Sequence, residues 1–146
     1  PEPVVEPEPV TEPEPATEPE PEPETETPAH QAVLCRELLD THNAEREAAG
    51  LPALEWGDFL EEGVLTRADE QLELFSHTRP DGSSCFTAYP TRGAMGENCA
   101  RWYSTPEMVT AAWMGSEGHR ANILCSYYNY MAAARVGNYW VVVFAR

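Results

Sequence analysis

The chain has 146 residues with 25 acidic and 9 basic side chains, a net charge of −16, and the charge is unevenly spread. Residues 1–28 hold ten Pro and ten Glu with no aromatic or basic residue, which leaves the remaining 118 residues at a net −6. A mildly acidic domain without a basic stripe excludes nucleic acid as a partner, and no apolar run is long enough to cross a bilayer.

The two regions read as a 1–28 Pro/Glu-rich stalk or linker and a 29–146 folded domain, the size of one ordinary core. In the first, proline fixes φ and removes donors, while the glutamates repel one another. The expected state is a disordered, solvated polyproline II segment that could span roughly 85 Å at about 3.1 Å per residue. It reads as a spacer or as a plain linker. The chain starts at Pro1 and shows no signal peptide, as a processed or truncated product would.

Thr27-Pro28 has the form of a helix start, with Thr as cap and Pro in the first turn. Leu34, Cys35, Leu38 and Leu39 then recur at helical spacing up to Gly50. Asp58 with Glu61 resembles a capping box, and Leu60, Val64, Ala68 and Leu72 mark the buried face of a second helix. Thr105-Pro106 opens a third, carrying Met108, Val109, Ala112 and Trp113, and Ser116 caps a short fourth through His119 to Leu124.

Residues 98–103 read as a strand. Residues 131–136 and 139–145 form a hairpin about Gly137-Asn138. Val141 and Val143 on one face and Val142 and Phe144 on the other predict a strand covered on both sides. The expected fold is α+β, a three-layer α-β-α sandwich about a small, mainly antiparallel sheet. Cys35, Cys85, Cys99 and Cys125 form no C-x-x-C pair. An even count in an exported domain predicts one or two disulfides, with buried thiols as the alternative.

Three motifs carry the chemistry: Phe75-Ser76-His77-Thr78-Arg79-Pro80-Asp81-Gly82, Gly96-Glu97-Asn98, and Gly118-His119-Arg120-Ala121-Asn122-Ile123-Leu124. Together with Asn43-Ala44-Glu45-Arg46, Gly50-Leu51-Pro52-Ala53-Leu54, Trp113 and Tyr139-Trp140, their order and spacing make residues 32–146 resemble a bacterial CAP superfamily domain. These are the cysteine-rich secretory, antigen 5 and pathogenesis-related proteins, also called SCP-like extracellular domains. The resemblance implies a secreted or cell-surface protein, wall-associated through its stalk, with a central cleft lined by His77, Glu97 and His119. Animal and plant members have a second glutamate where this chain has Ser116.

Two imidazoles and a carboxylate suit Zn²⁺ or another divalent cation with an open water position. Such a water would be a hydrolytic nucleophile, but with Glu97 as a ligand no base is assigned. Without metal, Glu97 could serve as general base beside a histidine. His77, Glu97 and His119 are thus the candidate catalytic and metal residues, and equally a set that fixes loops across the cleft. The expected function is binding of an extracellular small molecule, lipid or cell-wall component. A metal-dependent hydrolase and a structural adhesion module are the alternatives. His30 and His42 read as exposed or packing residues, Asn43 and Arg46 as a polar pair holding helix to loop, and Arg79, Asp81, Arg120 and Asn122 as turn-ordering residues. Trp102, Tyr103 and Trp113 read as core. Tyr127, Tyr128 and Tyr130 form a candidate exposed aromatic cluster for glycan or lipid.

Overall fold

The structure is a computed structural model that describes residues 31–90 and 93–146. The stalk, the Thr27-Pro28 helix start and His30 lie outside the described residues. In chain order the elements are β1 (Val33–Leu34), α1 (Glu37–Ala48), β2 (Glu55–Trp56), a 3-10 turn at Asp58–Leu60, α2 (Glu61–Glu73), a second 3-10 turn at Cys85–Ala88, β3 (Met95–Arg101), α3 (Pro106–Met114), α4 (Glu117–Ile123), β4 (Tyr130–Val136) and β5 (Tyr139–Ala145).

The β4–β5 hairpin is the centre of the sheet. Its turn is closed by Gly137 at φ +53°, a left-handed conformation that glycine adopts without a Cβ clash. β3 pairs antiparallel with β5 from Met95↔Ala145 to Arg101↔Tyr139. The outer edge of β4 takes β1 antiparallel at Arg135 and Ala134 and β2 parallel at Tyr130 and Met131. Side chains alternate along β5 as expected for a strand covered on both faces. Val141, Val143 and Ala145 pack with Leu60 of the preceding turn and with Val64 and Ala68 of α2. Trp140, Val142 and Phe144 pack with Leu38 of α1, Val109 and Trp113 of α3 and Ile123 of α4. The layers are therefore α2, sheet, and α1/α3/α4: the α-β-α sandwich that the patterning predicts.

Several local expectations are corrected. Leu34 and Cys35 precede α1: Val33 and Leu34 extend the sheet, and Cys35 N–H donates to Ala133 O at 2.9 Å. Gly50, at φ +75°, does end α1. The Asp58/Glu61 box does not close, because Glu61 Oε2 is taken by Trp56 Nε1 at 2.8 Å and by Arg36 Nη2 at 2.9 Å. Leu72 is 39% exposed, and Arg67 and Gln71 stand on the buried face instead. Thr105 caps α3 as expected, accepting from Met108 N–H at 3.1 Å. β3 begins three residues early, at Met95, because β5 offers a full seven-residue partner. It ends at Arg101 because Trp102 turns into the left-handed region at φ 75°.

No disulfide is present: all four cysteines are free thiols, Cys35, Cys85 and Cys99 buried and Cys125 half-buried. They serve as small apolar side chains, Cys35 and Cys125 on the α1/α3/α4 side and Cys99 on the α2 side. The tyrosine cluster also disperses. Tyr127 is exposed, Tyr128 is buried and stacked on Phe144 at 5.6 Å, and Tyr130 packs edge-on to Phe59. His42 is wholly buried against Trp113 and Phe144, and its Nε2 has no partner. Trp113 is core, donating Nε1–H to Cys99 O at 3.1 Å, whereas Trp102 is half-buried with its ring against the Arg101 guanidinium. Asn43 exchanges two hydrogen bonds with the Leu54 backbone, and buried Arg46 donates to Pro52 O, Ile123 O and Cys125 O, tying α1 to the loops beyond it.

Gly63 marks the tightest contact of α2. A Cβ there would lie 2.4 Å from Tyr89 Cδ1 and 2.6 Å from the Ala88 carbonyl oxygen. Gly63→Ala is expected to cost about 1–3 kcal/mol despite the better helix propensity of alanine. Denaturant unfolding checks this, and a stabilised variant would show that the Tyr89 turn is free to move.

Candidate functional site

The Gly96-Glu97-Asn98 motif lies on β3, where alternation sends neighbouring side chains to opposite faces of the sheet. Glu97 faces α2 and Asn98 faces α4. Gly96 leaves room where a Cβ would meet Tyr128 Oη at 2.6 Å and Asn122 Oδ1 at 2.9 Å. Each residue of the motif thus has a separate physical reason to be what it is.

On the α2 side, Glu97 is fully buried and Arg67 grips it with both arms. Nε donates to Oε2 and Nη2 to Oε1, each at 2.9 Å. His77 Nδ1 lies 2.9 Å from Oε1. Tyr89 O–H donates to Oε2 at 3.2 Å and Cys99 S–H to Oε1 at 3.3 Å. Burial alone would push the Glu97 carboxyl up. The hydrogen bonds from His77 and Arg67, with the charge of Arg67, outweigh it and hold the group at about 2. Burial first, and then the Glu97 charge, drive Tyr89 and Cys99 well above their usual values, so both remain donors. An ionised carboxylate only accepts, so Nδ1 of His77 carries a proton, and in the neutral ring the lone pair is left on Nε2. That Nε2 is buried and has no partner.

His77 is held by its loop. Ser76 exchanges hydrogen bonds with Gln71, and its carbonyl accepts from Arg67 Nη2 at 2.6 Å. His77 O accepts from Cys85 N–H at 2.9 Å, and Asp81 orders the turn by accepting from Ser83. Arg79 does not pair with Asp81 in this turn: it clamps Glu70, which also binds Arg67 Nη1 at 2.9 Å. The result is a line of alternating charge, Arg79–Glu70–Arg67–Glu97, that ends on His77.

On the other side, Asn98 Nδ2 donates to His119 O at 3.1 Å and Asn122 Nδ2 donates to Asn98 Oδ1 at 2.9 Å, so β3 also fixes α4. His119 Nδ1 lies 3.0 Å from Oγ of Ser116. Burial, and then the nearby His77, lower the His119 pKa to about 4. Of the three predicted residues, His77 and Glu97 are in direct contact. His119 stands on the opposite wall, close enough to sense His77 but without a direct hydrogen bond to either. Sequence reasoning missed Arg67, Tyr89 and Cys99. The signal for Arg67 was an arginine between Val64 and Ala68 on the apolar stripe of α2, where a charge requires a buried partner.

The family model of the cysteine-rich secretory protein (CAP) family matches residues 39–144. The chain belongs to this family. It is 30% identical over 128 residues, 82% of its length, to the uncharacterized protein YkwD of Bacillus subtilis, and spans about half of that protein. An extracellular SCP-domain protein of Bacillus anthracis superposes with a TM-score of 0.71 at 22% identity, over 76% of this chain and 39% of the other. An outer surface protein of Borrelia burgdorferi superposes at 0.68 and 20% identity, over 76% and 90% respectively. These similar structures are of extracellular or surface proteins, and no described helix of this CAP domain is long and apolar enough to cross a membrane.

Ligand-type atoms of His77, Glu97 and Cys99 lie within 4.8 Å of one another, a spacing that could hold a metal ion. In that grouping, however, the Glu97 oxygen already faces the Arg67 guanidinium, and Cys99 is a thiol held protonated. The orphaned Nε2 of His77 is the better donor. With Glu97 on Nδ1, it has the carboxylate–histidine arrangement that orients metal-binding imidazoles. In this arrangement Glu97 orients the His77 ring.

Two predictions follow from these charges. The buried ion pair is expected to behave as a unit. Arg67→Met should cost about 3–5 kcal/mol by stranding the Glu97 charge, and adding Glu97→Leu should recover much of it. Additive losses in a denaturant double-mutant cycle would show the two to be independent. For pH, burial holds His42 at about 3 and His119 at about 4, below the unfolded value near 6.5. The unfolded chain therefore takes up protons first, and stability falls as pH drops below 6.5. Glu97, depressed to about 2, adds a further loss as pH falls from 4.5 towards 2. His42→Leu should remove up to about 1.4 kcal/mol per pH unit of the slope between pH 4 and 6. An unchanged slope in unfolding curves at stepped pH would exclude His42 as a source.

Proposed function

We propose that this CAP domain is an extracellular recognition module whose His77–His119 cleft binds a small molecule, lipid or cell-wall component without turning it over. One observation carries the reading: the Glu97 carboxylate is filled by donors from Arg67, His77, Tyr89 and Cys99. A general base needs a free lone pair and a pKa near the working pH. Glu97 has neither, being spent on the protein itself and held at about 2. What remains for a ligand is the unpartnered Nε2 of His77 and the neutral imidazole of His119. The extracellular and surface proteins of similar fold support the location, and residues 1–28 would act as the spacer that places the domain in the wall. A divalent cation held by the two histidines would supply a Lewis-acidic point for ligand oxygens.

The test is equilibrium binding of the full chain to purified wall fragments and to phospholipid vesicles, with product analysis of the same mixtures. Saturable binding to one of them, weakened at least about tenfold in His77→Ala/His119→Ala with the ligand recovered intact, is expected. Cleavage of either that disappears in folded Glu97→Gln would replace this reading with a hydrolase.

A further inference from the structure

We propose that Arg67 is the positioning residue of the cleft: by gripping both oxygens of Glu97 it fixes that carboxylate as the acceptor for His77 Nδ1–H and so reserves Nε2 for a ligand. An imidazole free to rotate or exchange tautomers would present a donor or an acceptor at the same place, with opposite ligand preference. Three observations show the constraint. Arg67 spans Glu97 with two bonds of 2.9 Å, so the carboxylate plane cannot turn. The same Nη2 also donates to Ser76 O at 2.6 Å, which fixes the backbone immediately before His77. One guanidinium therefore sets both the hydrogen-bond partner of the ring and the peptide that carries it. Arg67 is itself held from behind by Glu70, which Arg79 clamps in turn, so the orientation is anchored outward to the half-buried Arg79.

Arg67 is fully buried, and it reaches His77 through Glu97 and the Ser76 carbonyl. Lysine at this position would keep the charge but not the fork, since an ammonium is a point donor without two parallel N–H bonds. The proposal concerns the state of the free protein, and its outcome is independent of which ligand the cleft binds.

The experiment is ¹⁵N–¹H correlation NMR of the histidine rings in the full chain at pH 8, which distinguishes protonated from unprotonated ring nitrogens. In the parent, His77 is expected as the Nδ1–H tautomer alone. Arg67→Gln is expected to give a mixture of tautomers, Arg67→Lys to restore the parent state only in part, and Glu97→Gln to release the ring with Arg67 still in place. A parent His77 protonated on Nε2 would overturn the proposal, as would folded Arg67→Gln with the parent tautomer intact. Should Arg67→Gln not fold, Glu97→Gln and Arg67→Lys decide: the parent tautomer and ring shifts unchanged in both would overturn it equally.

Discussion

The buried pair of Arg67 and Glu97 is the constraint from which the site is built. Two full charges inside the protein are costly to desolvate, and the low-dielectric attraction between them offsets that cost only when the geometry is good and the remaining lone pairs are filled. Here the fork is bidentate, and Tyr89, Cys99 and His77 occupy what Arg67 leaves. The pair bridges α2 to β3, orders the His77 loop through Ser76, and assigns the proton of the imidazole. Removing either partner leaves a stranded charge at the centre of the cleft.

β3 makes this possible because it serves both layers. Glu97 faces α2 and the His77 loop, and its neighbour Asn98 faces α4 and the carbonyl of His119. A single-residue step along one strand thus fixes α2 and α4 relative to each other. The helices on either side are short or imperfectly capped. α4 has only seven residues, and its cap Ser116 turns its hydroxyl to His119, away from the helix N–H groups. Its position is set mainly by Asn98, Asn122 and the packing of Ile123. The division of labour explains why a glycine precedes the pair: Tyr128 and Asn122 need the space a side chain at 96 would fill.

Membership of the CAP family sets the architecture and leaves the chemistry to individual side chains. In this chain the Glu97 carboxylate is neutralised by Arg67. The groups left unspent are the buried, unpartnered Nε2 of His77 and the imidazole of His119.

The apolar periods of α2, α3 and the β4–β5 hairpin were legible in the residues because burial on a helix or strand imposes a period that composition preserves. The three motifs, with the segments around them, likewise pointed to the family. Other features were set by partners distant in sequence. Val33 and Leu34 became a strand because β4 had an open edge, and the tyrosines of 127–130 parted because only Tyr128 could reach Phe144. The cysteines remained separate thiols within the packed layers. The state of Glu97 was least visible: a carboxylate takes its role from what surrounds it, and the group that decides it lies 30 residues away, on α2. Sequence by itself determined the sandwich and the family, and singled out His77, Glu97 and His119 as candidates. Only the tertiary structure decided that Arg67 spends the carboxylate on orienting His77, because a buried charge must be met by whichever partner the fold brings to it.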